Sequence, residues 1–562
     1  MHLDTFQKAL REYEAVPHAT DEASCSGIDL RRLGSVRPLA ADYASNFDRV
    51  AALYAGDPAS RDAWASAIAR AQQHPRRRAD IAAMLAAQQA RRGAPPEARA
   101  AAALLADSGT VAVVTGQQAG VFGGPLFTLL KAITAIQLTR RTAAEHGVPA
   151  VALFWVDAED HDWDEVRSNT VLDTQMQPRT VSLPELDGAG ALPIAALTLD
   201  DRVQATIDEL RTALPPTDFT DWVISRAAGA WRPGAGLSHA FASWLEDLLG
   251  PHGLVVFESA DPAAKPFVAD LFARELQFPG RTAALATDAG RQLADRGHEP
   301  QVVPQPDSVA LFRLDGSRMP IRRQGDLLVA GDQSYAPSAL AAEAVDHPER
   351  FSPNVLLRPV VQDTLFPTIC YVAGPSELAY LGQLRGVYDH FGVPMPLMYP
   401  RATATLIDSA TRRFLSKYDV RIEDLRPQDE SALNKLLEAQ LPASVEQALS
   451  EADGAMRAAL EKVIEVIPAV DPTLAGAAKT TLGKIEHDLH ALHGKVIQAA
   501  KRRDDTLRRQ FSRAQVQIYP LGHPQERTLG VVFFLDRYGP ALIDRLLEEL
   551  PIEMGKHWLI TV

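Results

Sequence analysis

The chain of 562 residues is too long for one ordinary core, so we expect two to four domains or subdomains. Apolar residues make up 46% and charged residues 23%, the balance of a soluble globular protein. The net charge of −14 argues against a protein that coats nucleic acid. No apolar run approaches the roughly 18 residues that a membrane-spanning helix needs, so we expect no membrane insertion.

Cysteine usage indicates the compartment. Cys25 and Cys370 are the two cysteines, and their separation leaves no disulfide framework or cysteine zinc cluster. The N-terminal stretch "MHLDTFQKALREYEAV" is charged throughout and does not resemble a signal peptide. We therefore expect a protein of the reducing cytoplasm.

The first clear unit of structure begins at Val111, after about 105 Ala-rich residues of mostly helical pattern. "TVAVVT" is typical of a buried parallel strand, and "LFTLLKAITAIQLTRRTAAEH" has helical spacing and ends before Gly147, a plausible C-cap. "VPAVALFWV" then predicts a second buried strand. Strand, glycine-rich turn, helix and strand together form a βαβ unit.

Further strands extend this unit into a doubly wound sheet. "GLVVFES" at 253–259 predicts a third strand, followed by a helix that Asp261 caps. Two inserted subdomains are expected, at about 168–250 and 290–345, with strands near 170–185 and a small β meander at 305–335. Residues 354–384 are predicted to run from loop to strand ("PTICYVAG"), turn and helix ("PSELAY").

The pattern changes after about residue 405. Leucines and valines fall at helical spacing, prolines interrupt them at "PAVDPT", and a 3-4-3-4 spacing resumes at Leu482, Ile485, Leu489, Leu492 and Val496. This predicts an antiparallel coiled-coil hairpin of about 55–60 Å at 1.5 Å per residue within a domain at 406–515. Residues 516–562, with the candidate strand "TLGVVFFL", are expected to return to a core spanning 1–405.

The glycine-rich corner "TGQQAGVFGGP" is the first candidate site. Glycines between a strand and a helix let backbone N–H groups approach a phosphate. The corner is neither GxGxxG nor GxxxxGK[ST], so it indicates neither a nicotinamide site nor a Walker A loop. A tight packing turn is an equal alternative. The candidates are Thr115, Gly116, Gln117, Gln118, Gly120, Gly123 and Gly124.

An acidic cluster, "FWVDAEDHDWDEV", follows the second strand at the edge where doubly wound sheets bind ligands. Crowded carboxylates repel one another unless a cation or a cationic substrate lies among them. Mg²⁺ with a nucleotide, or a hydrolase metal site using His161, would fit, and so would a solvated acidic loop. The candidates here are Trp155, Glu159, Asp160, His161 and Asp162.

Two later segments add cationic and polar candidates. Arg358 is suited to clamp a carboxylate or phosphate, although it could merely pair with Asp363 within a loop. Arg401 could meet a phosphate, or could lie in a linker between domains. Cys370, mid-strand among apolar residues, reads as a core residue. The remaining candidates near this cleft are Gln362, Tyr371, Gly374, Glu377 and Tyr380.

Taken together, these stretches resemble the bacillithiol synthase family, the cysteine ligase family BshC. The segments that carry the resemblance are "VVTGQQAGVFGGPLFTLLKAIT", "VALFWVDAEDHDWDEV", "LRPVVQDTLFPTICYVAGPSELAYLGQL", "MPLMYPR" and "RTLGVVFFLDRYGP". The resemblance implies an α/β fold: a Rossmann-like ligase core with two connecting inserts and a C-terminal coiled-coil hairpin that dimerises. It also implies the joining of L-cysteine to glucosaminyl malate through an amide, the last step of bacillithiol synthesis.

The resemblance further implies roles for the candidates. Activation of the cysteine carboxyl by ATP, with Mg²⁺, is expected, although the HxGH corner of nucleotidyl-transfer folds is absent from this loop. Gln118, Glu159, Asp160 and His161 are assigned to catalysis, Gly120, Gly123 and Gly124 to the nucleotide, and no residue to a resident metal. The other candidates named above are assigned to substrates. Two other classes stay open: a metal-dependent hydrolase at "EDHDWDE", and a non-catalytic scaffold that binds a metabolite.

Overall fold

The computed structural model describes residues 25–562 apart from Ser35, 427–430, 440–442 and 504. The described chain forms two compact units. The first contains the chain up to Leu406 and Pro524–Val562, and the second contains Ile407–His523.

The chain returns to the first unit at Pro524, after a helix that continues to Ile518 and the turn Pro520–Gly522. No helix within the described residues is long and apolar enough to cross a bilayer.

The strands of the described residues are β1 Cys25–Asp29, β2 Val111–Gln118, β3 Ala150–Asp157, β4 Ser168–Leu172, β5 Pro178–Ser182, β6 Val255–Glu258, β7 Ser308–Leu314, β8 Arg318–Gln324, β9 Leu327–Ala330, β10 Gln333–Tyr335, β11 Phe351–Pro353, β12 Thr368–Ala373, β13 Leu397–Pro400, β14 Thr403–Ile407 and β15 Lys556–Thr561.

The α-helices of the first unit are α1 Pro38–Ser45, α2 Arg61–Gln73, α3 Arg78–Arg92, α4 Pro96–Leu104, α5 Leu126–His146, α6 Trp163–Val166, α7 Val203–Ala213, α8 Thr220–Ala230, α9 Leu237–Leu249, α10 Ala269–Gln277, α11 Arg281–Asp295, α12 Pro337–Asp346, α13 Arg358–Leu365, α14 Pro375–Leu381 and α15 Arg385–Phe391. Those of the second unit are α16 Ser409–Lys417, α17 Ser431–Ala439, α18 Ala443–Val466, α19 Leu474–Arg503 and α20 Asp505–Ile518, and the chain ends with α21 Gln525–Thr528, α22 Val531–Tyr538 and α23 Ala541–Glu549.

A five-stranded parallel sheet of order β13-β12-β2-β3-β6 forms the centre of the first unit. Its strands are continuous apolar runs, as expected of strands that are covered on both faces. The first six residues of β2 are all buried, and β12 is buried along its whole length. The predicted Rossmann-like doubly wound core is thus confirmed.

The strand order fixes where a ligand can bind. From β2 the chain adds β3 and β6 on one side of the sheet, and later adds β12 and β13 on the other. The direction of winding therefore reverses between β2 and β12. In open α/β sheets the crevice outside the carboxyl ends of the strands at such a reversal is the usual ligand site.

Both predicted inserts are separate from this sheet. The first contains the hairpin of β4 and β5, followed by α7–α9. The second is an antiparallel sheet of order β10-β9-β8-β7-β11, which confirms the predicted meander and extends it to Pro353. Another sheet, β1-β15-β14, was not predicted; in it β15, near the end of the described chain, lies between β1 and β14.

Two local predictions are wrong. "TLGVVFFL" is not a strand: Gly530 precedes α22, whose residues Val531–Asp536 are buried. A short apolar run does not distinguish a buried helix from a strand. "LRPVVQDTL" is not a loop but α13, in which Pro359 occupies the first turn, where its missing N–H costs nothing.

The second unit contains the predicted coiled-coil hairpin. Helices α18 and α19 pack along each other, and Arg457 pairs with Glu486 across them at 2.7 Å. At 1.5 Å per residue the two helices measure about 36 and 45 Å, shorter than predicted. Residue 504 lies outside the described residues, and α20 follows it.

Candidate active site

A cleft of about 470 Å³ opens in the first unit at the carboxyl ends of β2, β3 and β12. Its volume suits a small-molecule ligand. The predicted site residues that line it are Gly116, Gln117, Gln118, Trp155, Asp160, Arg358, Tyr371, Gly374, Glu377, Tyr380 and Arg401. The other lining residues are Phe127, Lys131, Asp157, Glu165, Phe312, Arg318, Pro353, Asn354, Val355, Pro375, Ser376 and Arg527.

Lys131 is a buried cation in this cleft, with a side chain only 4% exposed. Its ammonium donates to the Gly116 carbonyl at 2.8 Å and to Gln117 Oε1 at 3.0 Å, and pairs with Glu377 at 2.5 Å. Burial lowers the pKa of Lys131, and Glu377 opposes that shift. All three donors of the ammonium are used, so Lys131 links the ends of β2 and β12.

Glu377 completes this link from the first turn of α14. Besides Lys131, its carboxylate accepts the Gly374 N–H at 2.6 Å and the Tyr371 hydroxyl at 2.8 Å. Burial alone would raise the pKa of Glu377, but Lys131 and these hydrogen bonds outweigh it and hold that pKa below its usual value. Glu377 is therefore ionised at neutral pH and acts as an acceptor, not as an acid.

Arg358 begins α13 and reaches the cleft beside β3. Its Nε lies 3.6 Å from Asp157 Oδ2, and its Nη atoms donate to the Tyr380 hydroxyl at 3.2 Å and to Gln362 Oε1 at 3.3 Å. Burial opposes its charge, but Tyr380, Tyr371 and Asp157 together raise the pKa of Arg358 well above its ordinary value. Arg358 is a permanent cation with its donors directed at the cleft wall.

The end of the cleft at β3 is acidic. Asp157, Asp160 and Glu165 line it, and Gln118 Nε2 donates to Asp160 Oδ2 at 3.4 Å. Burial raises the pKa of Asp157, against the effect of Arg358, and burial also raises that of Glu165. Desolvated carboxylates of this kind are stabilised by a cation placed among them. The geometry suits an ammonium or amine.

The end of the cleft at β13 carries guanidinium groups. Arg401 pairs with Glu526 through both Nη atoms, at 2.6 and 2.9 Å. The ring of Phe127 lies 5.4 Å from the Arg401 guanidinium carbon and 5.8 Å from that of Arg527. Arg527 is exposed and has no carboxylate partner among the described residues. This end can therefore accept an anion.

The second insert contributes Arg318 to the cleft. Its guanidinium donates to the Ser352 hydroxyl at 3.2 Å and the Pro353 carbonyl at 3.1 Å, and lies 3.5 Å from Asp160. It also stacks on Phe312, with 3.6 Å between the guanidinium carbon and the ring centre. The inserted sheet thus closes one side of the acidic end.

Three predicted site residues lie behind the cleft wall. Thr115 is fully buried and donates its hydroxyl to the Val372 carbonyl at 3.0 Å. Gln362 donates to Asp363 Oδ1 at 2.9 Å, and Tyr388 donates to Asp363 Oδ2 at 2.5 Å. Arg358 therefore contacts Asp363 only through Gln362, and these residues support the site without lining it.

The acidic loop divides its residues among three environments. Glu159 is buried and pairs with Lys265, which also donates to a backbone carbonyl. Asp162 accepts the Glu165 N–H at 3.3 Å as the N-cap of α6, and the His161 side chain is 48% exposed. The described residues hold no group of three or more His, Cys, Asp or Glu side chains suited to a metal ion.

The glycines of the corner pack against protein atoms. A Cβ at Gly123 would lie 2.8 Å from the Trp244 indole nitrogen, and one at Gly120 would lie 3.0 Å from the Gly124 Cα. Gly123 and Gly124 have φ values of 90° and 68°, which favour glycine. None of the three lines the cleft, whereas Gly116 does. Their nucleotide role stays a prediction, and their packing explains why they are glycines.

Five charged residues of the cleft were not predicted from the sequence as site residues: Lys131, Asp157, Glu165, Arg318 and Arg527. Lys131 had a signal, since it is a lone charge within the apolar helical run "LFTLLKAITAI". Asp157 was named within the acidic cluster but not separated from it. Arg318 and Arg527 lie in an insert and in the returning segment, where no local pattern distinguishes them.

Comparison with known proteins agrees with this architecture. Residues 24–402 match the family described as "Bacillithiol biosynthesis BshC, N-terminal Rossmann-like domain", and residues 404–562 match its "C-terminal coiled-coil domain". Two relatives, each named "Putative cysteine ligase BshC", come from Salinibacter ruber (36% identity) and Symbiobacterium thermophilum (33% identity), with 94% of this chain and 97% of each relative covered. One from Koribacter versatilis is 34% identical over 78% of this chain and 82% of its own.

The fold, the cleft and these matches define a ligase with a Rossmann-like domain and a coiled-coil domain. The chain belongs to the BshC family of bacillithiol biosynthesis. The resemblance read from the sequence motifs is thereby confirmed.

Proposed function

We propose that this protein joins L-cysteine to glucosaminyl malate, forming an amide between the cysteine carboxyl and the glucosamine amine as the last step of bacillithiol synthesis. Membership of the BshC family supports the pathway, and the names of the relatives support cysteine as a substrate. The cleft supports a substrate that carries both an amine and carboxylates, because the two ends of the cleft carry opposite charge.

This division of charge is the observation that carries the proposal. The acidic end follows β3 and the cationic end follows β13, and β2 and β12 lie between them in the sheet. Three strand spacings of about 4.8 Å separate the two ends by about 14 Å at the backbone. A substrate that bears an amine and carboxylates, such as glucosaminyl malate, can then bind in one orientation only.

At the acidic end, Asp157 and Asp160 would hold the attacking amine. The amine must lose a proton to become a nucleophile, and a carboxylate within reach can accept that proton. Because burial raises the pKa of Asp157, its carboxylate is a better proton acceptor than an exposed aspartate. Asp160, between Gln118 and Arg318, would orient the amine.

At the cationic end, Arg527 would bind a malate carboxylate. The other lining cations already face carboxylates: Lys131 faces Glu377, Arg318 faces Asp160, Arg358 faces Asp157 and Arg401 faces Glu526. Arg527 alone among the described lining cations has no such partner. The carboxylate role expected of Arg358 and Arg401 is therefore assigned to Arg527, with Arg401 as its neighbour across Phe127.

ATP would activate the cysteine carboxyl, as an adenylate or an acyl phosphate, because a free carboxylate is a poor electrophile. The end of β2 at Gly116–Gln118 is the part of the glycine-rich corner that faces the cleft. A phosphate that enters the cleft would meet this strand end. Mg²⁺ would enter with the nucleotide, and no step is assigned to a metal held by the protein.

A second copy of the chain would complete the coiled coil. Of the predicted seam, Leu482, Leu489 and Val496 are half-buried, but Ile485 is 37% and Leu492 50% exposed. Exposed apolar residues at coiled-coil spacing are those that a partner helix covers. We therefore assign homodimerisation to this face of α19.

The test is a direct assay of the purified protein with L-cysteine and glucosaminyl malate, with and without Mg-ATP. Mass spectrometry should detect a product equal to the two substrates minus one water, formed only with ATP, together with AMP or ADP. Replacing cysteine by serine should abolish or greatly reduce the product if the thiol is recognised.

Two results would contradict the proposal. One is binding of neither substrate to the protein by calorimetry. The other is chelator-sensitive release of an amine or acetate from glucosaminyl malate or its acetylated form, which would favour a metal-dependent hydrolase instead.

A further inference from the structure

Gln117 presents a hydrogen-bond donor that the described protein does not use. Its side chain lines the cleft at the end of β2, and its Oε1 accepts from the Lys131 ammonium at 3.0 Å. An ammonium only donates, so this contact fixes which end of the amide is oxygen and which is nitrogen. No described residue accepts from the Gln117 Nε2, and this NH₂ group remains available to the cleft.

The neighbouring candidates are already occupied. Gln118 Nε2 donates to Asp160, and its side chain also donates to Glu165. Thr115 donates its hydroxyl to the Val372 carbonyl behind the sheet. Of the side chains of Thr115, Gln117 and Gln118, that of Gln117 alone keeps a hydrogen-bond donor with no acceptor among the described residues.

We propose that Gln117, not Gln118, is the catalytic residue that donates to the oxyanion formed during amide synthesis. This inference rests on the proposed function. As the amine nitrogen bonds to the activated cysteine carbonyl carbon, the π electrons of that carbonyl move onto its oxygen. The Gln117 N–H donates to this oxygen. Collapse then restores the carbonyl, expels the AMP or phosphate derived from ATP, and leaves the amine proton on the Asp157 carboxylate.

The surroundings of Gln117 hold this donor in place before the reaction. Lys131, which fixes Gln117 Oε1, is itself fixed by Glu377 and by the Gly116 carbonyl. Donors held in place in this way stabilise a developing charge without reorganising, and removing one commonly lowers kcat by about 10²–10³. Because the carbonyl of bound cysteine is a weaker acceptor than the oxyanion, the effect falls on kcat more than on KM.

Gln117→Glu is the sharpest test, since a carboxylate can still accept from Lys131 but offers no N–H. Gln117→Ala removes the whole group, and Gln118→Ala is the matched comparison on the adjacent residue. Thermal unfolding is measured for each variant, together with steady-state rates. The first-turnover burst of the product that activation releases is also followed, which is pyrophosphate for an adenylate and ADP for an acyl phosphate. We expect kcat to fall about 10²–10³-fold in both Gln117 variants, with KM values within about threefold and the burst retained.

Gln118→Ala should reduce kcat at least tenfold less than Gln117→Ala. A kcat for Gln117→Ala within threefold of the wild type, or an effect confined to KM, would overturn the role of Gln117 while leaving the ligase activity standing. Absence of turnover by the wild-type protein would instead refute the proposed function, and the role of Gln117 with it.

Discussion

Arg401 and Glu526 form a buried, bidentate ion pair. Arg401 lies just before the chain leaves the first unit, and Glu526 lies just after the chain returns to it. The guanidinium nitrogens lie 2.6 and 2.9 Å from the carboxylate oxygens, and the side chains are 2% and 7% exposed. Glu526 also accepts the Ala404 N–H at 3.1 Å. Burial tends to raise the pKa of Glu526, but Arg401 more than compensates and holds it below its usual value. The pair is therefore charged at neutral pH.

Glu526→Gln should destabilise the protein by about 3–5 kcal/mol, because it leaves the buried Arg401 charge uncompensated. Urea unfolding followed by tryptophan fluorescence measures the change in the free energy of unfolding. The double variant Arg401→Leu with Glu526→Leu is the matched control and should lose much less, since it removes both charges together. An equal loss in the single and double variants would mean that shape, and not charge, matters here.

Asp160 and His161 are adjacent in the sequence but differ in environment. Asp160 lines the cleft, whereas His161 is outside it and half exposed. Asp160→Asn should lower kcat by about 10²–10⁴-fold, the range for loss of a carboxylate that binds or deprotonates the amine. His161→Ala should leave kcat within about twofold. Steady-state kinetics decides, and a greater loss for His161→Ala would return catalysis to the histidine.

Arg527 should control the affinity for the malyl carboxylates. A hydrogen bond to a charged group contributes about 1.5–3 kcal/mol, so Arg527→Gln should raise the KM for glucosaminyl malate about 10–100-fold. The KM for cysteine should change little. Free malate should compete with glucosaminyl malate in the wild type and much less in the variant. Arg296→Gln, at the half-buried residue that follows α11, is the control, and a matching rise in the KM for ATP would assign Arg527 to the nucleotide instead.

The central sheet could be predicted because its strands are continuous apolar runs between turn signals. Such runs indicate a buried strand without information from the rest of the chain, and "TVAVVT" and "VPAVALFWV" do form β2 and β3. "TLGVVFFL" is equally apolar but is buried as α22, because packing against the rest of the unit, and not local pattern, selects the helix. Strands β1 and β15 pair across nearly the whole chain, and no local signal reports such a partner.

In the candidate site too, local sequence predicted some features, whereas tertiary contacts determined others. Position at strand ends predicted Gln117, Asp160 and Glu377 in one cleft, because the carboxyl ends of parallel strands share an edge. Spacing could not separate Glu159 from Asp160, since a loop has no periodicity and one side chain is buried against Lys265 while the next lines the cleft. The pairing of Arg401 with Glu526 is a tertiary contact that no local pattern reports, and the substrate role of Arg401 stays a prediction.

The raised pKa of Asp363 should make the stability of the protein depend on pH. Burial, opposed by hydrogen bonds from Tyr388 and Thr368, raises the pKa of Asp363 from 3.8 to about 6. Between about pH 4 and 6 the folded protein keeps a proton that the unfolded chain releases, so the free energy of unfolding falls as pH rises through this window. At 1.36 kcal/mol per pKa unit the fall is about 3 kcal/mol. Asp363→Asn should remove this contribution.

Unfolding in urea at a series of pH values measures the effect. Glu275→Gln is the comparison, because burial raises the pKa of Glu275 to about 7 and its window should extend further upward in pH. A wild-type profile that is matched by Asp363→Asn between pH 4 and 6 would contradict the raised pKa of Asp363.

The exposed apolar residues of α19 predict a dimer. A single charged substitution in that contact should dissociate it. Leu492 is 50% exposed, and Leu492→Glu would place a carboxylate in the apolar contact proposed between two copies. We expect light scattering after size exclusion to give about twice the 61.0 kDa chain mass for the wild type and the single-chain mass for the variant. His490→Glu is the matched control, because it adds the same charge about 200° around the helix from Leu492. This variant should remain dimeric, since position 490 faces away from the contact. A monomeric wild type at micromolar concentration would refute the dimer, whereas a dimeric Leu492→Glu variant would place the interface on another surface.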